Sequence, residues 1–377
     1  MSRFAVLLAP LLVFAACSPP ASRDDQTRAV PKIEMSEAAR SSMQRVNEAR
    51  FVSAPSRPEP GQAQAASARS GSGSAQAADI PAAVESSFDG GLVRIQVLLD
   101  RLHFSPGVID GYDGENVRKA VAAYQEANGL PINGRADDAL LTRLERADRA
   151  PALIAYVLTE EDVRGPFVNV PSDMEAQSRL DHLGYESAAE AVAEKFHMDV
   201  DLLRTLNPGV DFGTAGTEIV VANAGGELNA QVARIDIDKD ELSLRAYDAN
   251  DRLLAFYPVT ISETNSPSGE LEITAIAFDP TYNYDAADLP SFNDDSGRQF
   301  TIQPGPNNPV GLVWIALNRP SYGIHGTPEP ALISKTSSRG CVRLTNWDAL
   351  ELARAVQPGV PVHFRRGEAE ARKIGRA

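Results

Sequence analysis

The spacing of apolar residues changes along the chain, and each change predicts a different kind of structure. From Leu92 to about Leu144, large aliphatic residues recur every three or four positions, which is typical of short helices separated by turns. From Gln231 onward apolar and polar residues alternate, as between Val232 and Ile237, which predicts half-buried strands. The stretch between these regions mixes both patterns. We therefore expect a helical module, a mixed module and a mainly β domain, in that order.

The helical module is predicted over residues 83–148. Three helices carry the apolar positions, and Asp110-Gly111 and Asn133-Gly134 form turns between them. Three short helices of this kind predict a compact bundle. The alternative is a generic helical bundle that binds no ligand.

The mixed module is predicted over residues 150–225. A short strand at 156–158 precedes two helices at 188–196 and 200–206, and a closing strand follows at 217–222. The resulting order is strand, helix, helix, strand. The alternative to a binding role is a packing module that orients the next domain.

The β domain is predicted over residues 230–366. Several short strands punctuated by turns favour a β-sandwich or β-barrel. The predicted strands cover 232–237, 242–247, 253–261, 271–278, 313–317 and 360–364. Only residues 347–355 have the pattern of a helix of any length.

The N-terminal end has the pattern of an export signal. Arg3 precedes an apolar run from Phe4 to Ala16 that is too short to span a bilayer, and small residues come just before Cys17. This arrangement resembles bacterial lipoprotein signals, which implies lipidation of Cys17 after removal of the preceding residues. The alternative is ordinary signal cleavage, with Cys17 as an incidental thiol. We expect an exported, periplasmic protein held at a membrane by a lipid anchor.

Residues 18–82 are rich in Ala, Ser, Pro, Gln and Gly and poor in large apolar residues. Such a composition cannot bury enough surface to offset the entropy of the chain, so we expect a disordered tether. Residues 33–50 have the pattern of a transient helix within it.

Charge excludes some classes of partner. The chain of 377 residues has 36 basic and 51 acidic side chains, a net charge of −15, and 43% hydrophobic residues. The hydrophobic content is ordinary for globular protein. The negative charge argues against nucleic acid and against a polybasic membrane surface. Two cysteines, Cys17 and Cys341, do not form a disulfide framework.

The strongest candidate chemistry lies near the C-terminal end. Cys341 follows His325 by sixteen positions, and glycines flank both residues. A thiol needs a base to become a nucleophile at neutral pH, and imidazole is the usual one. The pair therefore indicates acyl transfer, although a lone cysteine or histidine is more often structural. The remaining histidines show no metal-ligand spacing, and Trp314 and Trp347 are predicted to lie in the core.

Four ordered motifs in the β domain resemble the YkuD-type L,D-transpeptidase catalytic domain. They are Pro267-Ser268-Gly269, the 305–311 stretch GPNNPVG, the 322–327 stretch YGIHGT, and the 338–344 stretch SRGCVRL. The likeness covers about residues 230–365. It implies a mainly β catalytic domain with one helix, and no cofactor or metal.

The resemblance also implies roles for matching residues. Cys341 is the expected nucleophile, His325 its base, and the carbonyl of Gly326 the group that orients the imidazole. The N–H groups of Gly340 and Cys341 are expected to receive the oxyanion, which explains a glycine where the substrate carbonyl approaches closely. Arg343 would support the site or meet a substrate carboxylate. Further expected substrate contacts are Tyr322 and Ser338.

One position departs from the family motif, which normally has a histidine where this chain has Arg339. A fixed positive charge there lowers a cysteine pKa. We expect Arg339 either to stabilise the thiolate or to contact the oxyanion or the substrate.

The two upstream modules also resemble known binding domains. The order of helices and turns over about residues 88–147 resembles the three-helix peptidoglycan-binding domain. The 150–225 module resembles a LysM domain, a binder of glycan chains, with a long insertion between its first strand and first helix.

Together these features predict a cysteine-dependent L,D-transpeptidase of peptidoglycan. Its partners would be stem peptides and glycan chains, with a neighbouring stem or an outer-membrane protein as the acyl acceptor. Two alternatives remain open at this point. Water could take the acyl group, which would make the protein a hydrolase or amidase, or the site could be inactive in a wall-binding scaffold.

Overall fold

The computed structural model describes residues 32–51, 88–262, 266–285, 298–337 and 340–366. The predicted signal segment, Cys17 and most of the predicted tether lie outside the described residues, as do Ser338 and Arg339. No helix within the described ranges is long and apolar enough to cross a membrane.

Three helices build the first module: α2 (Gly90–Arg101), α3 (Glu115–Ala127) and α4 (Asp138–Ala147). Asp89 and Asp137 cap α2 and α4 by accepting hydrogen bonds from backbone N–H groups in the first turn. The apolar faces of the three helices share one core, and Phe256 of the β domain packs into it. The helical N-terminal region predicted from periodicity is confirmed.

Two buried glutamines hold the turns of this module. Gln96 Oε1 accepts the N–H groups of Asp110 and Gly111 at 3.2 and 2.7 Å, and its Nε2 donates to Asp110 Oδ1. Gln125 repeats the pattern with the N–H groups of Asn133 and Gly134, at 2.9 and 3.0 Å. Each Asp-Gly or Asn-Gly turn is thus tied to the helix before it.

Residues 33–50, predicted to form a transient helix within the tether, contain a helix that packs on the second module. Helix α1 (Glu37–Glu48) begins at Ser36, whose hydroxyl accepts the N–H of Ala39 at 3.1 Å. Asn47 exchanges two hydrogen bonds with the backbone of Leu153, at 2.8 and 2.9 Å. Helix α1 has few apolar side chains, but they pack onto the core of the second module, and this packing stabilises the helix.

The second module contains the predicted strands and the two predicted helices, and two further short helices lie in the stretch predicted as an insertion. Strand β1 (Leu153–Val157) pairs antiparallel with β2 (Glu218–Ala222). The helices between these strands are α5 (Glu160–Arg164), α6 (Met174–Gln177), α7 (Ala188–Lys195) and α8 (Val200–Leu206). The likeness to LysM stays a prediction.

Eight strands of the C-terminal domain form one mixed sheet in the order β11-β10-β9-β6-β12-β3-β4-β5. The strands are β3 (Arg234–Asp238), β4 (Ser243–Tyr247), β5 (Leu253–Pro258), β6 (Gly269–Phe278), β9 (Val313–Leu317), β10 (Gly323–His325), β11 (Val342–Arg343) and β12 (Pro361–Arg365). The hairpin of β7 (Tyr282–Asp285) and β8 (Gln299–Ile302) stands apart from it.

The sheet curls until its two edges meet. Just beyond β5, Thr260 exchanges two backbone hydrogen bonds with Arg343 of β11, at 2.9 and 3.0 Å. Helix α9 (Asn346–Ala355) contributes Ala349, Leu352 and Ala353 to the core that the sheet encloses. The predicted mainly β domain with one helix is confirmed, and its edge closure gives it a barrel-like form.

Candidate active site

Strand register places three candidate residues on one face of the sheet. Ile324 pairs with Val342, and both side chains are fully buried in the core. Because side chains alternate between faces along a strand, His325 and its partner Arg343 lie on the opposite face. Cys341 precedes Val342, so continuing the alternation places it on that face too. Cys341 lies two positions before Arg343, the register partner of His325, and is therefore a diagonal neighbour of His325.

His325 is held through its Nδ1 atom. That atom lies 2.7 Å from the carbonyl oxygen of Gly326, and the side chain is buried at 4% exposure. A carbonyl only accepts, so this hydrogen bond requires the proton on Nδ1 and leaves Nε2 free to act as a base. The pKa of His325 is lowered to about 4, chiefly by burial and also by the charge of Arg343, against the opposing hydrogen bond to Gly326.

Cys341 has a partly exposed thiol. It donates a hydrogen bond to the carbonyl of Ser321, with Sγ 3.6 Å from the oxygen. Burial raises its pKa above the ordinary value, while the N–H of Gly323 and the charge of Arg343 act in the opposite direction. At neutral pH these shifts keep both the thiol of Cys341 and the imidazole of His325 neutral.

Gly340, directly before the cysteine, has a φ of 145°, in the region that favours glycine. Its carbonyl accepts hydrogen bonds from the hydroxyls of Tyr322 and Ser266. Tyr322 is buried, and burial raises its pKa to about 12. These contacts fix the backbone that leads into Cys341.

Trp314 was predicted to lie in the core, and this is wrong. It pairs with His325 across β9 and β10, and its ring stacks on the imidazole with centroids 5.6 Å apart. Alternation places the partly buried Trp314 and Ala316 on the site face of β9, between the buried residues Val313, Ile315 and Leu317. Trp347 is buried, as predicted.

Comparison with known proteins identifies the family of the β domain. Residues 232–364 match the profile of the YkuD L,D-transpeptidase catalytic domain, and residues 89–144 match that of a peptidoglycan-binding domain. The L,D-transpeptidase YkuD of Bacillus licheniformis is 32% identical over 179 residues, which are 46% of this chain and 90% of the relative. The chain belongs to the YkuD family of L,D-transpeptidases.

Other relatives of this L,D-transpeptidase match more weakly. The Bacillus subtilis YkuD protein is 29% identical over 47% of this chain and 92% of its own length. Among solved structures, an L,D-transpeptidase from Mycobacterium smegmatis matches with a TM-score of 0.29 and 17% identity, over 40% of this chain and 64% of the other.

Three other histidines of the transpeptidase lie beside carboxylates. His103 contacts Glu351 at 2.7 Å, His197 contacts Asp100 at 3.1 Å, and His363 lies near Asp236 and Glu270. Across the described parts of the chain, no group of three or more His, Cys, Asp or Glu side chains could hold a metal ion.

The pKa shifts of this L,D-transpeptidase predict its pH dependence. Because the pKa of Cys341 is raised, alkylation by iodoacetamide should be slow at pH 7 and accelerate above the ordinary thiol range. Because the pKa of His325 is lowered to about 4, enzyme activity should persist in mild acid and fall only as pH drops through about 4, where the base becomes protonated. Alkylation followed by mass spectrometry across pH 5–10 measures the first expectation. Fast alkylation at pH 6 would indicate an ion pair instead.

Sequence reasoning missed Asn346, which follows the cysteine motif by two residues at the start of α9. Its buried amide bonds to backbone N–H groups on two loops of the site. The signal available was its place immediately after Thr345, whose hydroxyl caps α9.

Proposed function

We propose that this transpeptidase acts on peptidoglycan stem peptides through a thioester on Cys341. The observation that carries the proposal is the shared face of His325, Cys341 and Arg343, with Nδ1 of His325 bonded to Gly326. An imidazole whose Nε2 is free as a base, beside a neutral thiol, suits activation at the moment of attack. The match to a peptidoglycan-binding domain supports peptidoglycan as the partner.

The first step is acylation of Cys341. Nε2 of His325 takes the thiol proton while Sγ of Cys341 attacks the carbonyl carbon before the terminal D-Ala of a tetrapeptide stem. N–H groups at Gly340 and Cys341 receive the oxyanion. The C–N bond then breaks, and His325 returns the proton to the amine of the departing D-Ala. Arg343 supplies a positive charge for a substrate carboxylate.

Transfer to an acceptor completes the reaction. An amine on a neighbouring stem, or on a protein such as an outer-membrane protein, attacks the thioester and loses a proton to His325. The C–S bond breaks and the thiol is restored. No cofactor enters either step. Export and lipidation at Cys17 belong to the same proposal, since they would place the enzyme beside its polymer.

The acceptor is tested by muropeptide mass spectrometry after the protein has been incubated with isolated sacculi. We expect new 3→3 crosslinks together with released D-Ala. Tripeptide stems without crosslinks would instead assign the thioester to hydrolysis. The Cys341→Ala protein is the control, and products that it also forms do not come from this site.

A further inference from the structure

Asn346 joins the transpeptidase site to the second module through its side-chain amide. Its Oδ1 accepts the N–H groups of Leu312 and Thr327, at 3.2 and 3.1 Å. Its Nδ2 donates to the carbonyl of Pro306 at 3.1 Å and to Oε1 of Glu194 at 2.9 Å. The residue is 1% exposed, so these hydrogen bonds have no competition from bulk water.

The contact with Thr327 acts on the same peptide unit that holds His325. The N–H of Thr327 and the carbonyl of Gly326 belong to one planar group, and they point in opposite directions. Asn346 holds the N–H end, and Nδ1 of His325 meets the carbonyl end at 2.7 Å. Fixing one end of a rigid plane fixes the direction of the other, and that direction selects the tautomer of the imidazole.

The fit around the amide is tight. A Cβ added at Gly326 would lie 2.2 Å from Oδ1 of Asn346, and one added at Gly311 would lie 2.0 Å from it. These separations are far below van der Waals contact. Because both glycines lack a Cβ, the amide of Asn346 can lie close to the backbone at these two positions.

Glu194 lies on α7, outside the catalytic domain. Its Oε1 also accepts the hydroxyl of Tyr185 at 3.1 Å. Burial raises the pKa of Glu194 to about 7, against hydrogen bonds from Asn346 and Tyr185 and the charge of His197, while Glu190 acts in the same direction as burial. The carbonyl oxygen of a protonated carboxyl accepts a hydrogen bond as well, so the contact with Asn346 does not depend on charge.

The module is anchored beside this contact by a second amide. Asn307 donates to Glu190 at 2.8 Å and to the carbonyl of Gly184 at 3.0 Å, and its own N–H donates to the carbonyl of Leu183 at 3.0 Å. These bonds join the same two modules but do not touch the Gly326–Thr327 peptide. Asn307 therefore offers a matched control.

We infer that Asn346 and Glu194 are positioning residues for His325, so that the second module sets the orientation and tautomer of the catalytic base. Glu194 orients the amide of Asn346, the amide orients the Gly326–Thr327 peptide, and that peptide keeps the proton on Nδ1. The consequence for the reaction rests on the proposed function, whereas the tautomer can be measured without any substrate.

The test compares Asn346→Ala, Glu194→Ala, Glu194→Gln and Asn307→Ala in the full chain labelled with ¹⁵N at histidine. The His325 signals are assigned by their absence from His325→Gln. We expect the wild type and Glu194→Gln to keep the Nδ1–H tautomer. In Asn346→Ala and Glu194→Ala we expect a mixture with Nε2–H, and a kcat for a disaccharide-tetrapeptide that falls about 10- to 100-fold with little change in KM.

Asn307→Ala should lower the thermal midpoint while keeping the Nδ1–H tautomer. An unchanged tautomer in Asn346→Ala would overturn the inference. If that variant does not fold, the two Glu194 variants decide, and Glu194→Ala with the wild-type tautomer would overturn it equally. Absence of turnover in the wild type would count against the proposed function and leave the tautomer result standing.

Discussion

Replacing Cys341 with alanine is expected to abolish acyl transfer, with a fall in turnover of about 10⁴-fold or more, because the nucleophile that forms the thioester is then missing. The measurement is release of D-Ala from a disaccharide-tetrapeptide by the full chain. The thiol is partly exposed and lies at the start of a two-residue strand. The substitution should therefore leave the thermal midpoint close to that of the wild type.

Cys341→Ser provides the matched control, since it keeps the size of the side chain and replaces only the nucleophilic atom. A hydroxyl is a far weaker nucleophile at neutral pH, so this variant should also be nearly inactive. Alanine and serine variants that retain a tenth of the wild-type rate would contradict a covalent role for Cys341.

Replacing His325 with glutamine is expected to lower acylation by about 10²- to 10⁴-fold at pH 7, because the raised pKa of Cys341 leaves the thiol protonated without a base. The residual rate should then rise with pH as the thiol ionises by itself. The measurement is the single-turnover rate of thioester formation across pH 5–10. In the wild type the rate should instead be flat over most of this range.

His363→Gln is the matched control for this prediction. His363 lies on β12 beside Asp236 and Glu270, with contacts of 3.2 and 3.3 Å, and strands β9 and β6 separate β12 from β10 in the sheet. Its variant should keep the wild-type pH profile. An equal loss of activity in both variants would assign the effect to stability rather than to a base.

The elements with long regular patterns could be predicted from the sequence, and the shortest ones could not. Periodicity located the bundle helices and strands such as β4 and β9. By contrast, β10 has three residues and β11 has two, too few for alternation to be visible. These two strands set the register of His325 and Cys341. The motif therefore named the candidate residues, but could not predict how the sheet arranges them.

Contacts between modules explain the other differences. Helix α1 has few apolar residues, and its order comes from packing onto β1 and β2. The stacking of Trp314 on His325 depends on strand pairing, since tryptophan by composition alone favours the core. Asn346 carries no sequence signal for its bond to Glu194, which lies 152 positions upstream.

Under the inferred role of Glu194, the second module helps to hold the catalytic base. Its Glu190 and Glu194 side chains contact Asn307 and Asn346 of the catalytic domain. A LysM-like module that binds glycan would hold the polymer and the base through the same helices. The packing and the binding interpretations of this module are therefore compatible.

Thioester formation on Cys341 is tested most directly by the intact mass of the full chain after exposure to a disaccharide-tetrapeptide. We expect an added mass equal to the substrate less D-Ala. Peptide mapping should locate it on the peptide that contains Cys341, and hydroxylamine should remove it, as it removes a thioester. An adduct that persists in Cys341→Ala, or that maps elsewhere in the chain, would contradict this expectation.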